Sequence, residues 1–181
     1  MNNLTNLSEL ERLNPDYFGF IFYPKSPRNF DRFSIPKYEN TKKVGVFVNQ
    51  PIDEVNEIAK RTGMDLIQLH GEESPEYCSM IHLPVIKVFH LNDQTDPDQL
   101  KEDLDQYADV ADYYLFDTKL EGKWGGTGKV FDWTLLENDI SEVPTILSGG
   151  LNSENIEEAI RTVDPFAVDL STLLDAFHHN S

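Results

Sequence analysis

Val44-Gly45-Val46-Phe47-Val48-Asn49-Gln50-Pro51-Ile52-Asp53-Glu54-Val55-Asn56-Glu57-Ile58-Ala59 reads as a strand running directly into a helix. Val44 to Val48 is short, β-branched and aromatic, as a strand requires. Past Pro51, the residues Ile52, Val55, Ile58 and Ala59 recur on one helical face, and Asp53 and Glu54 stand where the N-terminal dipole favours acids. Working outward, six more runs have the same character: Tyr17 to Phe22, Leu66 to Leu69, Pro84 to Phe89, Tyr113 to Phe116, Thr145 to Leu147 and Phe166 to Leu170. None alternates cleanly, which is expected of strands covered on both faces in a parallel sheet. Their centres, from Gly19 to Val168, recur about every 25 residues, room for a strand, a helix and two loops. Ser153 to Thr162 repeats the helical pattern through Glu154, Ile156, Ala159 and Ile160, behind a Ser or Asn cap. No linker or low-complexity tract divides the chain, so residues 1–181 are expected to be a single α/β domain. Periodicity alone leaves two sheets open, a doubly wound one and a closed barrel.

Charge narrows the partners. Fifteen Lys plus Arg against thirty-two Asp plus Glu leave a formal charge of −17, which repels a nucleic-acid backbone over most of the surface. A small anionic substrate would need a local cationic pocket against the same field. The one cysteine, Cys78, has no partner for an internal disulfide, and the N-terminus shows neither a basic nor an apolar leader segment. Neither is any stretch long and apolar enough for a membrane helix. The expected place is the cytoplasm, with no nucleic acid and no membrane as partner.

In parallel α/β folds the site forms at the carboxyl ends of the strands. Phe22-Tyr23-Pro24-Lys25-Ser26-Pro27-Arg28 puts two cations in a proline-stiffened loop, either a clamp for a carboxylate or phosphate or a solvated basic turn. Gln68 and His70 lie on the same side of their strand, and a lone histidine can be structural or functional. Asp117 directly follows Tyr114-Leu115-Phe116, where burial would raise a carboxyl toward general-acid range; a turn cap is the alternative. Gly125-Gly126-Thr127-Gly128-Lys129 only superficially resembles a nucleotide loop, because Val130 stands where Ser or Thr is required. Leu147-Ser148-Gly149-Gly150-Leu151 offers backbone N–H groups before a helix, suited to a phosphate or simply to a tight turn.

In this order these segments, with Gly19 to Arg28, Val44 to Asn49, Gln68 to Glu73 and Phe116 to Lys119, closely resemble the phosphoribosylanthranilate isomerase family, over residues 17 to 172. The resemblance implies a (β/α)8 TIM barrel of which seven of eight strands are present. It implies Amadori rearrangement of N-(5-phosphoribosyl)anthranilate to the carboxyphenylamino-deoxyribulose phosphate, in tryptophan biosynthesis, with neither metal nor organic cofactor. By resemblance Asp117 is the general acid, Arg28, Gln68, His70 and Asp169 contact substrate, and Gly149, Gly150 and Ser171 hold phosphate. Arg28, His70, Asp117 and Gly149 are expected to converge on one face, and either a monomer or a homodimer fits. The family's general base is a cysteine in a Lys-x-Cys-Gly strand end upstream of the first helix, a motif that these 181 residues do not contain. Cys78, in Glu76-Tyr77-Cys78-Ser79-Met80, reads as buried helix packing. Leu173-Leu174-Asp175 replaces the family's Gly-Val-Glu turn, and the final helix is not in the sequence. Three readings follow: an isomerase, a non-catalytic sugar-phosphate-binding remnant, or a non-functional fragment.

Overall fold

A computed structural model describes residues 13–30, 35–118, 131–136 and 140–170. Its contacts group the chain into two compact units, Met1–Lys87 and Val88–Ser181. The first holds β1 (Tyr17–Ile21), β2 (Lys42–Phe47), β3 (Leu66–Leu69) and the start of β4 (Val85–Leu91), with α1 (Ile52–Thr62) and α2 (Pro75–Ser79) between them. Every neighbouring pair is parallel, and one register row runs Ile21, Val46, Gln68, Ile86. All four residues of β3 are buried, which explains why its sequence shows no alternation. At Gly45 a Cβ would lie 2.8 Å from the Phe47 ring and 3.2 Å from Met64, so any larger residue would have to displace those side chains. The local signals are equally direct. Ser74 caps α2 by accepting from the Tyr77 N–H at 3.3 Å, with proline in the first turn. Gly63 ends α1 at φ 66°, the left-handed conformation that glycine takes without strain.

The second unit contains the rest of β4, α3 (Pro97–Tyr107), β5 (Tyr113–Thr118), a 3₁₀ turn (Trp133–Leu136), β6 (Thr145–Leu147), α4 (Ile156–Val163) and β7 (Ala167–Val168). Asp96 caps α3, taking N–H bonds from Asp98 at 2.9 Å and Gln99 at 3.2 Å. The Tyr114 hydroxyl, deep in the core, donates to the Leu104 carbonyl at 2.6 Å and so ties β5 to α3. β5, β6 and β7 are parallel, with Phe116, Leu147 and Val168 in register.

The seven strands are ordered β1-β2-β3-β4-β5-β6-β7, as they occur in the chain. A doubly wound sheet would reverse its order at a switch point, so the order is that of a (β/α) barrel sheet with seven strands. Two expectations change. The helix foreseen from Ser153 begins only at Ile156, because Asn152 and Asn155 fold residues 152–155 into a turn: Asn152 Oδ1 accepts from Glu154 N and Asn155 Oδ1 from Asn152 N, both at 2.8 Å. β7 is shorter than Phe166 to Leu170, and Phe166, which opened that run, is 56% exposed. Its flanks still bond to β6, Phe166 N to Thr145 O and Asp169 N to Leu147 O, both at 2.8 Å. Among the described residues no helix is long and apolar enough to cross a membrane.

Leu69 is fully buried at the centre of the first unit. Leu69→Ala is expected to cost about 2–5 kcal/mol, read as a lower urea midpoint with an unchanged slope.

Candidate active site

In the first unit the chain leaving β1 turns at once: Ser26 N bonds to Tyr23 O at 2.9 Å, and Phe30 N returns to Ile21 O at 2.6 Å. Phe30 seals this loop by packing edge-on against Phe20, with ring centroids 5.2 Å apart. Arg28 is thereby fixed on the loop, its N–H taken by Ser26 Oγ at 3.1 Å and its side chain part-exposed. At the end of β3, Gln68 Nε2 meets His70 Nδ1 at 3.1 Å, so the two residues do share one side of the strand. An amide nitrogen only donates, so Nδ1 is the acceptor and the ring proton of a neutral His70 sits on Nε2.

The second unit assembles the acid. Asp117 stands at the carboxyl end of β5, its Oδ1 accepting the Thr118 N–H at 2.8 Å. Burial drives its carboxyl upward from the ordinary value, against the opposing pull of His90 and of that N–H. A ring nitrogen of His90 and a carboxylate oxygen of Asp117 come within 4.8 Å. At the end of β6, Gly149 and Gly150 adopt φ 77° and 70°. A Cβ on Gly149 would collide with the Thr118 backbone and sit 2.7 Å from Asp117 Oδ1, so glycine is required twice over, by conformation and by space. Ser148 Oγ donates to Asp169 Oδ2 at 3.3 Å, which brings Asp169 to the same strand ends as Asp117 and Gly149.

Arg28, Gln68 and His70 therefore share one unit, and Asp117, Gly149, Gly150 and Asp169 the other. Each lies at or just past the carboxyl end of a parallel strand. Ser171, Lys119 and the Gly125 to Lys129 segment lie outside the described residues. Cys78 is buried in α2, as expected, and desolvation pushes its thiol up to about 11 although Lys87 pulls the other way.

Four polar residues near these strand ends were not singled out from the sequence. His90 was passed over because the apolar run stops at Phe89, whereas β4 continues to Leu91. Glu73 and Lys87 form a buried ion pair beside Gly71, and the exposed Asn49 gives its N–H to Glu73. The available signal was Lys87 itself, a lysine amid Val85-Ile86 and Val88-Phe89, since a charge inside a buried strand requires a partner.

Comparison with known proteins agrees with this geometry. Residues 2–173 match the family model described as N-(5'phosphoribosyl)anthranilate (PRA) isomerase. The chain is 38% identical over 178 residues to an N-(5'-phosphoribosyl)anthranilate isomerase of Caldanaerobacter subterraneus subsp. tengcongensis, covering 95% of this chain and 84% of that one. A solved phosphoribosyl anthranilate isomerase from Thermotoga maritima superposes with a TM-score of 0.80 at 35% identity, over 93% of this chain and 83% of that one. Another, solved with reduced 1-(o-carboxyphenylamino)-1-deoxyribulose 5-phosphate, gives 0.77 at 32% identity, over 95% and 84%.

Two measurements test the acid's surroundings. Gly149→Ala is expected to cost at least about 1–3 kcal/mol in urea unfolding, since it adds both strain and a clash beside Asp117. A carboxyl raised in the folded chain binds its proton more tightly there than when unfolded. Stability is therefore lost as pH rises from the ordinary value of 3.8 through the raised one, and stays lost above it. Asp117→Asn removes that loss, so the variant should melt higher than the parent near neutral pH, with the gap narrowing in acid.

Proposed function

The chain belongs to the N-(5'-phosphoribosyl)anthranilate isomerase family, and we propose that Asp117 is the general acid with which it isomerises that substrate. The carrying observation is a carboxyl held at the end of β5 under Gly149, with burial as the main influence on its proton. A protonated Asp117 gives its proton to the ribose ring oxygen as the C1–O bond breaks, while the anilino nitrogen lone pair forms the C1=N bond of a protonated Schiff base. Removal of the C2 proton then moves the electrons to nitrogen and yields the enolamine, which tautomerises to the ketose. The step belongs to tryptophan biosynthesis.

Gly149 and Gly150, with Ser171, hold the phosphate through backbone and hydroxyl donors in this reading. Arg28 pairs with an anionic group of the substrate, the local cation that a chain of charge −17 requires. Gln68 with His70, and Asp169, bind the remaining polar groups. The family match crosses the boundary at Lys87, which supports treating residues 1–181 as one isomerase domain. A Thermotoga maritima relative has been solved as monomers generated from a dimeric isomerase, so monomer and homodimer both remain compatible here. A water-soluble phosphorylated substrate suits the cytoplasm.

The C2 proton has no acceptor in Cys78, which is buried with its thiol near 11. That observation favours a second reading, in which residues 1–181 bind the sugar phosphate without turning it over. A polypeptide of these residues is accordingly expected to isomerise phosphoribosylanthranilate roughly 10²- to 10⁴-fold below a form carrying a fused Lys-x-Cys-Gly strand. Loss of anthranilate-type fluorescence follows the reaction. Asp117→Asn in the fused form should remove a comparable factor; unchanged turnover in that variant would end the assignment of the acid.

A further inference from the structure

The ion pair between Glu73 and Lys87 is buried on both sides, with side chains 1% and 4% exposed and 3.5 Å between Nζ and Oε2. Its surroundings are what give it meaning. Glu73 Oε2 accepts the Gly71 N–H at 2.9 Å, and Lys87 Nζ donates to the Gly71 carbonyl at 2.6 Å. Both polar groups of the residue directly after His70 are thus gripped, the donor by the anion and the acceptor by the cation. Glu73 Oε1 also takes the Asn49 N–H at 2.7 Å, and Asn49 Oδ1 accepts the Glu72 N–H at 2.8 Å. A Cβ on Gly71 would lie 2.5 Å from Asn49 Oδ1, so the Asn49 side chain packs tightly against the glycine. On the other side of His70, its own N–H bonds to Phe47 O at 2.9 Å.

A buried ion pair is weak evidence for stability, because desolvation offsets the attraction. Here each charge also takes a hydrogen bond from or gives one to the backbone of Gly71. We propose that Glu73 and Lys87 are positioning residues of the isomerase site, which lock the Gly71 backbone so that His70 keeps the orientation and tautomer it presents toward substrate. The proposal rests on the reading of His70 as a pocket residue, and neither charge touches the reacting atoms.

Amide hydrogen exchange and histidine nitrogen NMR on the purified 181-residue chain test this without turnover. In the unsubstituted chain the Gly71 amide should exchange about as slowly as those of β3, and His70 should give a single Nε2–H tautomer. In the doubly substituted Glu73→Gln, Lys87→Met chain, which introduces no net charge, the Gly71 amide should exchange roughly 10- to 100-fold faster and His70 should populate both tautomers. The Leu69 amide serves as the control for global unfolding and should change much less. Fast Gly71 exchange in the unsubstituted chain overturns the proposal even if the double variant fails to fold. An unaltered His70 tautomer in a folded double variant overturns it as well. Titration with reduced 1-(o-carboxyphenylamino)-1-deoxyribulose 5-phosphate separates the two readings: binding weakened about tenfold or more by the double substitution supports positioning. Absence of binding by the unsubstituted chain strikes the functional reading alone, since exchange and tautomer are measured without ligand.

Discussion

Parallel pairing is the constraint from which the rest follows. Strands that run the same way need a crossover between each pair, so within each unit their carboxyl ends emerge along one edge, and the loops there carry the chemistry. It also obliges the strands to be covered, and β3 is buried at every residue. Polar groups on or beside the covered strands are for the most part answered nearby. Lys87 finds Glu73 and the Gly71 carbonyl, Gln68 finds His70, and Ser148 finds Asp169.

Much of this was legible in the residues, for identifiable reasons. Runs of β-branched and aromatic residues at a steady spacing gave the strands, and Leu66 to Leu69 and Thr145 to Leu147 coincide with β3 and β6. Asp117 was recognisable because an acid ending an apolar run can hardly avoid burial, and Gln68 with His70 because their separation by two places them side by side. What escaped had different causes. His90 belongs to a strand end that continues past the last obvious apolar residue. The start of α4 was misplaced because Asn152, Asn155 and Ser153 are all plausible caps, and only side-chain-to-backbone bonds decide among them. The partnership of Glu73 with Lys87 joins the loop after β3 to β4, and no local pattern encodes it.

The two units use buried charge in opposite ways. Glu73 and Lys87 satisfy each other and the backbone, so their burial fixes a conformation. Asp117 is left with burial as the leading influence on its proton, at the expense of stability at neutral pH. That cost accords with the general-acid role proposed for Asp117.

Cys78, sealed within α2 and the chain's sole thiol, has a consequence unrelated to catalysis. Because the buried thiol is nearly inert, a modifying reagent can attack only those molecules in which α2 has momentarily opened. Its labelling rate is therefore a clock for breathing motions of the first unit. The clock is already built into the chain, needs no engineered reporter, and bears one tick mark per molecule.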